Sequence, residues 1–482
     1  MKRLSRFLLV VAACFPVLVF AGSNTHEQDP LASVIFWVSF IFIFALLGRY
    51  LAKRFNQAGV LGELIMGVLL GNVCYFLGLQ IFVVLREGSA IFHIMRSMLD
   101  GVSLTQAVKT SIPDPVYANQ MLKALTSHDG IELIKAGYVL DILSRFGVLF
   151  LLFMVGLESS LQDLKKTGRE SVQVAIIGVV APIILGFLAA HLLLPDASYK
   201  ADLFVAATLS ATSIGITARV LSEMKKLKTR EARTIMGAAM LDDVLGLMIL
   251  AIVSSIVVSG EVDVLQIVWV LGSALVFFIV AVLFGPWALR QVIRFLSFLD
   301  LWEAKLFASF FFLMTLAWLA TVMQLAAIIG AFAAGLVIHD GFFEVDDSER
   351  QYRLDIKQLI APFEAILAPL FFMLIGIQVK LESFYDWRVL VMAGALTLAA
   401  IIGKLVSGLG GNKKDDRLLI GIGMLPRGEV GLVFASIGRT LGVISDNLFS
   451  AIILMVILTT LIAPPWLKMQ YARQKKRKVS QA

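Results

Sequence analysis

Two carboxylates stand side by side in an otherwise apolar stretch, Ala238-Ala-Met-Leu-Asp242-Asp243-Val-Leu-Gly-Leu247. An aspartate placed inside a membrane carries an insertion cost on the order of 3 kcal/mol, so the pair needs water, a cation or a base facing it. Neighbours on a helix point ~100° apart, which leaves room for two different duties. The chemistry open to such a pair is the reversible capture of a cation or of protons. The competing reading is a salt bridge that ties helices together, for which one aspartate suffices.

A base at matching depth lies in Ala399-Ala-Ile-Ile-Gly403-Lys404-Leu-Val-Ser-Gly408. At 1.5 Å per residue, Asp242 falls ~12 Å and Lys404 ~9 Å from the same, basic-rich boundary of their spans. A lysine so near a helix end could instead snorkel to the interface. The glycines around Lys404 favour close helix packing.

Two further stretches are poorly suited to unbroken helices. Thr208-Leu-Ser210-Ala-Thr212-Ser213-Ile-Gly215-Ile-Thr217 is dense in hydroxyls and glycine. Gly421-Ile-Gly423-Met-Leu-Pro426-Arg427-Gly428-Glu429-Val-Gly431 sets a proline and both charge signs in apolar surroundings. Non-helical backbone at membrane depth is tolerated only where it lines a cavity or is buried in protein. Broken helices of this kind form ion sites, with carbonyls for the cation and helix dipoles to be compensated by charge. Arg427 and Glu429 serve equally well as an internal ion pair that holds the break together.

These residues need a membrane scaffold, and the composition supplies one. Of 482 residues, 59% are hydrophobic and 16% charged, far from a soluble domain. Apolar stretches of about the ~20 residues that span a bilayer recur at 33–51, 58–84, 138–158, 171–194, 202–221, 234–258, 264–287, 305–322, 325–340, 359–379, 387–410, 416–440 and 447–467. The expected fold is an all-α membrane protein of about 13 transmembrane helices. Lysine and arginine crowd alternate joints: Arg49, Lys53 and Arg54; Lys165, Lys166 and Arg169; Lys225 to Arg233; Arg290 and Arg294; Arg350, Arg353 and Lys357; Lys413, Lys414 and Arg417. The short opposite joints hold only Lys200, Lys380 and Arg388. By the positive-inside rule the carboxyl terminus is cytoplasmic, and the chain enters the first span from the periplasmic side of a bacterial inner membrane.

Residues 1–21 carry Lys2, Arg3 and Arg6, an apolar run and a small-residue end, the layout of a signal peptide, or of one more helix if uncleaved. The membrane domain then runs 22–467. Within it, 85–137 reads as a periplasmic insertion of short amphipathic helices, and 468–482 as a basic cytoplasmic tail suited to lipid headgroups. The net charge of +7 sits in the joints, so it marks orientation and argues against nucleic acid. Cys14 and Cys74 make neither a disulfide framework nor a metal site, and no nucleophile with a base or phosphate loop points to an enzyme or a cofactor.

The two broken spans, fifth and twelfth, are an odd number of crossings apart and so run in opposite directions. Spans four to six and eleven to thirteen form an inverted repeat with two crossed broken helices, the architecture of alternating-access carriers. At these residues the chain resembles the cation:proton antiporter-2 branch of the monovalent cation:proton antiporters, with its electrogenic paired-aspartate sodium/proton exchangers. The resemblance covers nearly the whole chain, from Gly59-Val-Leu-Gly62-Glu63 through Gly156-Leu-Glu158, Ala211-Thr212-Ser213 and Asp242-Asp243 to Gly403-Lys404 and Pro426-Arg427-Gly428-Glu429. It implies that Asp243 carries the cation or proton, that Asp242 pairs with Lys404 in the proton-loaded state, and that Thr212 and Ser213 lie beside the site. It also implies a homodimer in which a core slides against a dimerisation domain. The chain departs from the pattern in its long joint at 85–137 and in lacking the nucleotide-binding domain of potassium-efflux relatives.

The resulting expectation is a secondary antiporter exchanging cytoplasmic monovalent cation for external protons, with sodium named by resemblance and lithium or potassium as substitutes. A potassium/proton antiporter would use the same residues. A sodium-coupled organic-anion symporter shares the architecture but has no need of Lys404 beside two carboxylates. A cation channel would not require inverted broken helices.

Overall fold

The computed structural model describes residues 30–480 apart from 56, 89, 113–114, 128–129, 159–167, 194–197, 227–228, 260–263, 297, 324 and 344–353. The proposed signal segment 1–21, Lys165, Lys166, Arg350 and Arg353 therefore lie outside the described residues. Within them the chain is helical throughout and contains no strand.

Chain order is α1 (Pro30–Arg54), α2 (Gly59–Phe76), four short helices α3 (Gln80–Arg86), α4 (Ala90–Leu99), α5 (Leu104–Ser111) and α6 (Pro115–Leu125), then α7 (Gly130–Glu158) and α8 (Arg169–Leu193). The first broken helix follows as α9 (Tyr199–Ser210) and α10 (Ile214–Glu223), then α11 (Arg230–Ser259), α12 (Val264–Phe295), α13 (Leu301–Val322), α14 (Ala327–Val337) and α15 (Ile356–Ile377). The chain ends with α16 (Trp387–Ser407), the second broken helix α17 (Arg417–Gly423) and α18 (Glu429–Thr440), and α19 (Asp446–Ser480). Ten described helices are long and apolar enough to cross a membrane. The two broken helices and the short α14 complete the thirteen crossings.

Composition explains how these helices sit. Along α8, Val172, Ile176, Val180, Ile184, Leu188 and Leu192 form an exposed row at four-residue spacing. The other face buries Val174, Ala175, Gly178, Val179, Pro182, Gly186 and Ala190. In hydrocarbon the large residues face lipid without penalty while small ones let helices approach. Alpha-7 and α14 show the same device: a Cβ added at Gly335 would lie 2.0 Å from the Phe153 carbonyl oxygen.

Packing separates two groups. In one, α8 lies along α16, α9 and α11, α9 meets α18, and α16 meets α19. In the other, α7 packs on α14 and α15, α2 on α1 and α15, and α13 on α14. The first group is the pair of three-span repeats read from the sequence.

Several boundaries differ from expectation, among them the end of α12, which continues past 287 to Phe295. The second span stops at Phe76, because Gly78 takes φ +79°, the left-handed conformation that ends helices; the apolar run 79–85 hid that stop and forms α3 instead. The third span begins at Gly130, since Glu132 and Lys135 lengthen the helix beyond its apolar part. At the other end, α19 passes Pro464 and Pro465 and runs on to Ser480. Residues 468–474 are docked, with the Gln470 amide donating to Asp416 at 2.9 Å and Gln474 to Glu231 at 2.7 Å.

Candidate ion-binding site

The site forms where the two breaks meet. Alpha-9 ends as Ala211 turns extended (φ −63°, ψ 138°), and residues 211–213 bridge to α10. On the facing helix, residues 424–428 separate α17 from α18. Backbone groups released by each break are taken up by the other. Ser213 N donates to Pro426 O at 2.8 Å. The Thr217 hydroxyl donates to Gly423 O at 2.7 Å and the Thr212 hydroxyl faces Met424 O at 3.3 Å. Arg427 Nη1 donates to Ala211 O at 2.7 Å, and the Thr460 hydroxyl of α19 donates to Arg427 O. Mutual satisfaction of this kind is what allows non-helical backbone in a dry interior.

Gly428 is required by closeness. A Cβ there would lie 2.7 Å from Ser213 Oγ and 2.9 Å from Ser213 Cβ, inside contact distance. The two breaks therefore touch with nothing between them.

Alpha-11 runs past this crossing with the aspartates in its middle. Asp242 is 1% exposed and Asp243 4%. Lys404, from α16, is fully buried and its Nζ lies 3.1 Å from Asp242 Oδ1 and 3.4 Å from Oδ2. Asp243 is a further electrostatic neighbour of that ammonium. The Thr212 hydroxyl also lies within hydrogen-bonding reach of Asp242, and the Arg427 charge acts on it. Lysine and aspartate thus meet in the interior, and Lys404 does not snorkel.

The glycine before Lys404 fixes that placement. A Cβ at Gly403 would sit 2.8 Å from Pro182 Cα of α8, so the helices touch and the lysine is directed at α11. On the far side a Cβ at Gly178 would lie 3.8 Å from Lys404 Nζ, which leaves the ammonium walled in by α8.

The structure brings Asp242, Asp243, Lys404, Thr212, Ser213 and Arg427 to one locus. Glu429 begins α18 at the same break; its side chain lies outside the described residues. No group of three or more His, Cys, Asp or Glu side chains that could hold a metal ion occurs among the described residues. Two polar clusters escaped the sequence reading. Glu63, buried in α2, pairs with Arg49 of α1. A larger cluster at the basic-poor end joins Arg86, Glu87, Lys380, Glu382, Arg439 and Asp446. Neither follows a helical i, i+4 spacing, since the partners come from different helices and connections.

Residues 41–471 match the sodium/hydrogen exchanger transmembrane family. The chain is 34% identical over 471 residues to a protein of Synechocystis named the high-affinity Na(+)/H(+) antiporter NhaS3, covering 96% of this chain and 95% of that one. It is 32% identical over 356 residues to the Na(+)/H(+)-K(+) antiporter GerN of Bacillus cereus, covering 72% and 87%. Its fold is similar to the sodium proton antiporter MjNhaP1 of Methanocaldococcus jannaschii, with a TM-score of 0.57 at 16% identity over 92% of this chain and 98% of that one. With crossed broken helices, an inverted repeat and a match over most of its length, the chain is a membrane transporter that belongs to the sodium/hydrogen exchanger family.

Proposed function

We propose that the chain is a sodium/proton antiporter that returns cytoplasmic sodium to the outside in exchange for external protons, by alternating access to one site. The observation that carries this reading is the Lys404 ammonium seated on Asp242, fully buried and one residue from Asp243. A buried charge is stable only while paired, so a cation entering between the carboxylates competes directly with the lysine and with protons.

Asp243 carries the ion and Asp242 exchanges partners. When sodium binds, Asp242 turns from Lys404 to the cation, and the protons held by the unit are released on the same side. Thr212, Ser213 and the carbonyls of the breaks supply neutral oxygens, a donor set suited to a hard monovalent ion. Arg427, bonded to Ala211 O, holds the break together. Two protons for each sodium is the expected ratio, one from Asp243 and one from the Lys404 ammonium, which cannot stay charged once Asp242 has turned to the cation.

In this reading the basic joints face the cytoplasm of a bacterial inner membrane, the amino terminus and the 85–137 insertion face the periplasm, the tail meets lipid headgroups, and the protein works as a homodimer. Potassium is the second cation to test, because the similar GerN carries it in its name.

Replacing Asp243 with Asn should abolish cation-driven proton flux in proteoliposomes while the protein still purifies and reconstitutes. Full flux in that variant would sink the assignment. Running the parent protein against sodium, lithium and potassium separates the candidate ions.

A further inference from the structure

Among the described residues, the insertion reaches the aspartate-bearing group of helices through charge and hydrogen bonds. Its apolar side chains, among them Leu85, Ile91, Ile94, Val108 and Met121, share a core with α1, α2, α7 and α15 that includes no described residue of α8–α11 or α16–α19. At its edge toward α18 and α19 the contacts are polar. Lys380, fully buried in the connection between α15 and α16, places Nζ 2.8 Å from Glu87 Oε1 and 2.6 Å from Asp446 Oδ2. Asp446 opens α19, and its other oxygen accepts from Arg439 Nη2 at 2.7 Å. Arg439, in the last turn of α18, also donates to Gln378 Oε1 at 2.7 Å and to Arg86 O at 2.9 Å.

The insertion completes and covers this network. Arg86 binds both oxygens of Glu382 at 2.6 Å. Tyr117 of α6 lies with its ring 3.4 Å from Lys380 Nζ and its hydroxyl 3.3 Å from Glu382. Burial and the nearby Glu382 carboxylate push the Tyr117 phenol well above its ordinary value, so it stays the proton donor. Gly88, at φ +57°, makes the turn that lets the insertion close on Gln378, whose side chain a Cβ at 88 would meet at 2.9 Å.

Gln378, Arg439 and Thr440 also line a cavity of about 350 Å³ between α7, α14, α15 and α18, walled by Val148, Phe371 and Val433. The polar bonds therefore span the line along which the two groups of helices must part. Deeper in the molecule one apolar core runs through both groups, but at this face they are joined by hydrogen-bonded charge, a contact that can be exchanged between two discrete states.

We infer that the insertion and the Lys380–Asp446–Arg439 network form a latch that joins the scaffold to the aspartate-bearing helices at the basic-poor face and must open in every transport cycle. Lys380 is its pivot, holding Glu87 of the scaffold and Asp446 of the moving group on one ammonium. This inference rests on the alternating-access reading above, and its test separates the two.

In a background with Cys14→Ala and Cys74→Ala, the pairs Gln378→Cys/Arg439→Cys and Glu87→Cys/Asp446→Cys each place one thiol on either side of the contact. A short reversible bis-methanethiosulfonate then links them in proteoliposomes. The latch predicts that linked protein, verified by mass, loses sodium-dependent proton flux by more than about tenfold and regains it on reduction. Linked protein exchanging at the unlinked rate would overturn it, since a static strut is indifferent to the link. Unlinked protein carries the antiporter reading, so the failure of one is distinguished from the failure of the other. If both unlinked pairs are inert, spin labels at the exposed Leu99 and Leu192 report on the intact network. Two distance populations shifting with sodium support the latch; one unchanged distance refutes it.

Discussion

Lys404 and Asp242 hold each other inside a protein where neither charge could stand alone. Removing one member of such a buried pair typically costs about 3–5 kcal/mol, because the other is left uncompensated. Lys404→Met should therefore lower the thermal stability of the purified protein by an amount on the order of 3 kcal/mol, and adding Asp242→Asn should restore most of it. Equal losses in the single and double variants would mean that the two side chains do not act as a pair. That Lys404 faces the aspartates was legible in the sequence because depth along a helix is arithmetic: 1.5 Å per residue from the same boundary brings them to nearly one level, while the choice of Asp242 as its partner came from the family resemblance. The charge network at the other face was not. Arg439 lies at a helix end where an arginine looks like a boundary marker, and its partners Arg86 and Gln378 lie 353 and 61 residues away. No local spacing announces such contacts.

Broken helices set the shape of the site, and their existence, though not their ends, followed from composition. Hydroxyls and glycine around 208–217 and Pro426 between charges are incompatible with a continuous lipid-facing helix, so two breaks were expected and two are found. Their mutual hydrogen bonds could not be read, because they depend on which carbonyl each break frees. The same limit applies to α2, where one glycine in the left-handed region ends a helix inside an apolar run. The crossing itself makes a test at this scale. With Ser213 Oγ 2.7 Å and Cβ 2.9 Å from the position of a new methyl, Gly428→Ala should destabilise the protein by about 1–3 kcal/mol, the usual cost of overpacking. Rotating the serine cannot relieve a clash with its Cβ. Ser213→Gly in the same chain should recover stability, and thermal unfolding of the three proteins checks it. A Gly428→Ala protein as stable as its parent would show that the breaks do not touch.

For the whole molecule, one site visited from both sides imposes a relation between pH and cation affinity. Protons and sodium occupy the same carboxylates, so wherever the site is protonated in the absence of cation, each proton displaced raises the half-saturating sodium concentration about tenfold per unit fall in pH. The sign is fixed: acidification weakens apparent sodium affinity, and alkalinisation strengthens it until no proton remains to be displaced. Two protons released for one sodium give a slope of two on logarithmic axes and move one net charge each cycle. A potential of 100 mV then contributes ~2.3 kcal/mol to exchange. Half-saturation measured across pH in proteoliposomes, with and without an imposed potential, reads both quantities from one preparation. A slope of one with flux indifferent to potential would leave the Asp242–Lys404 pair without a proton to release. Half-saturation independent of pH would remove competition altogether, and with it the idea that Asp242 and Asp243 serve both ions.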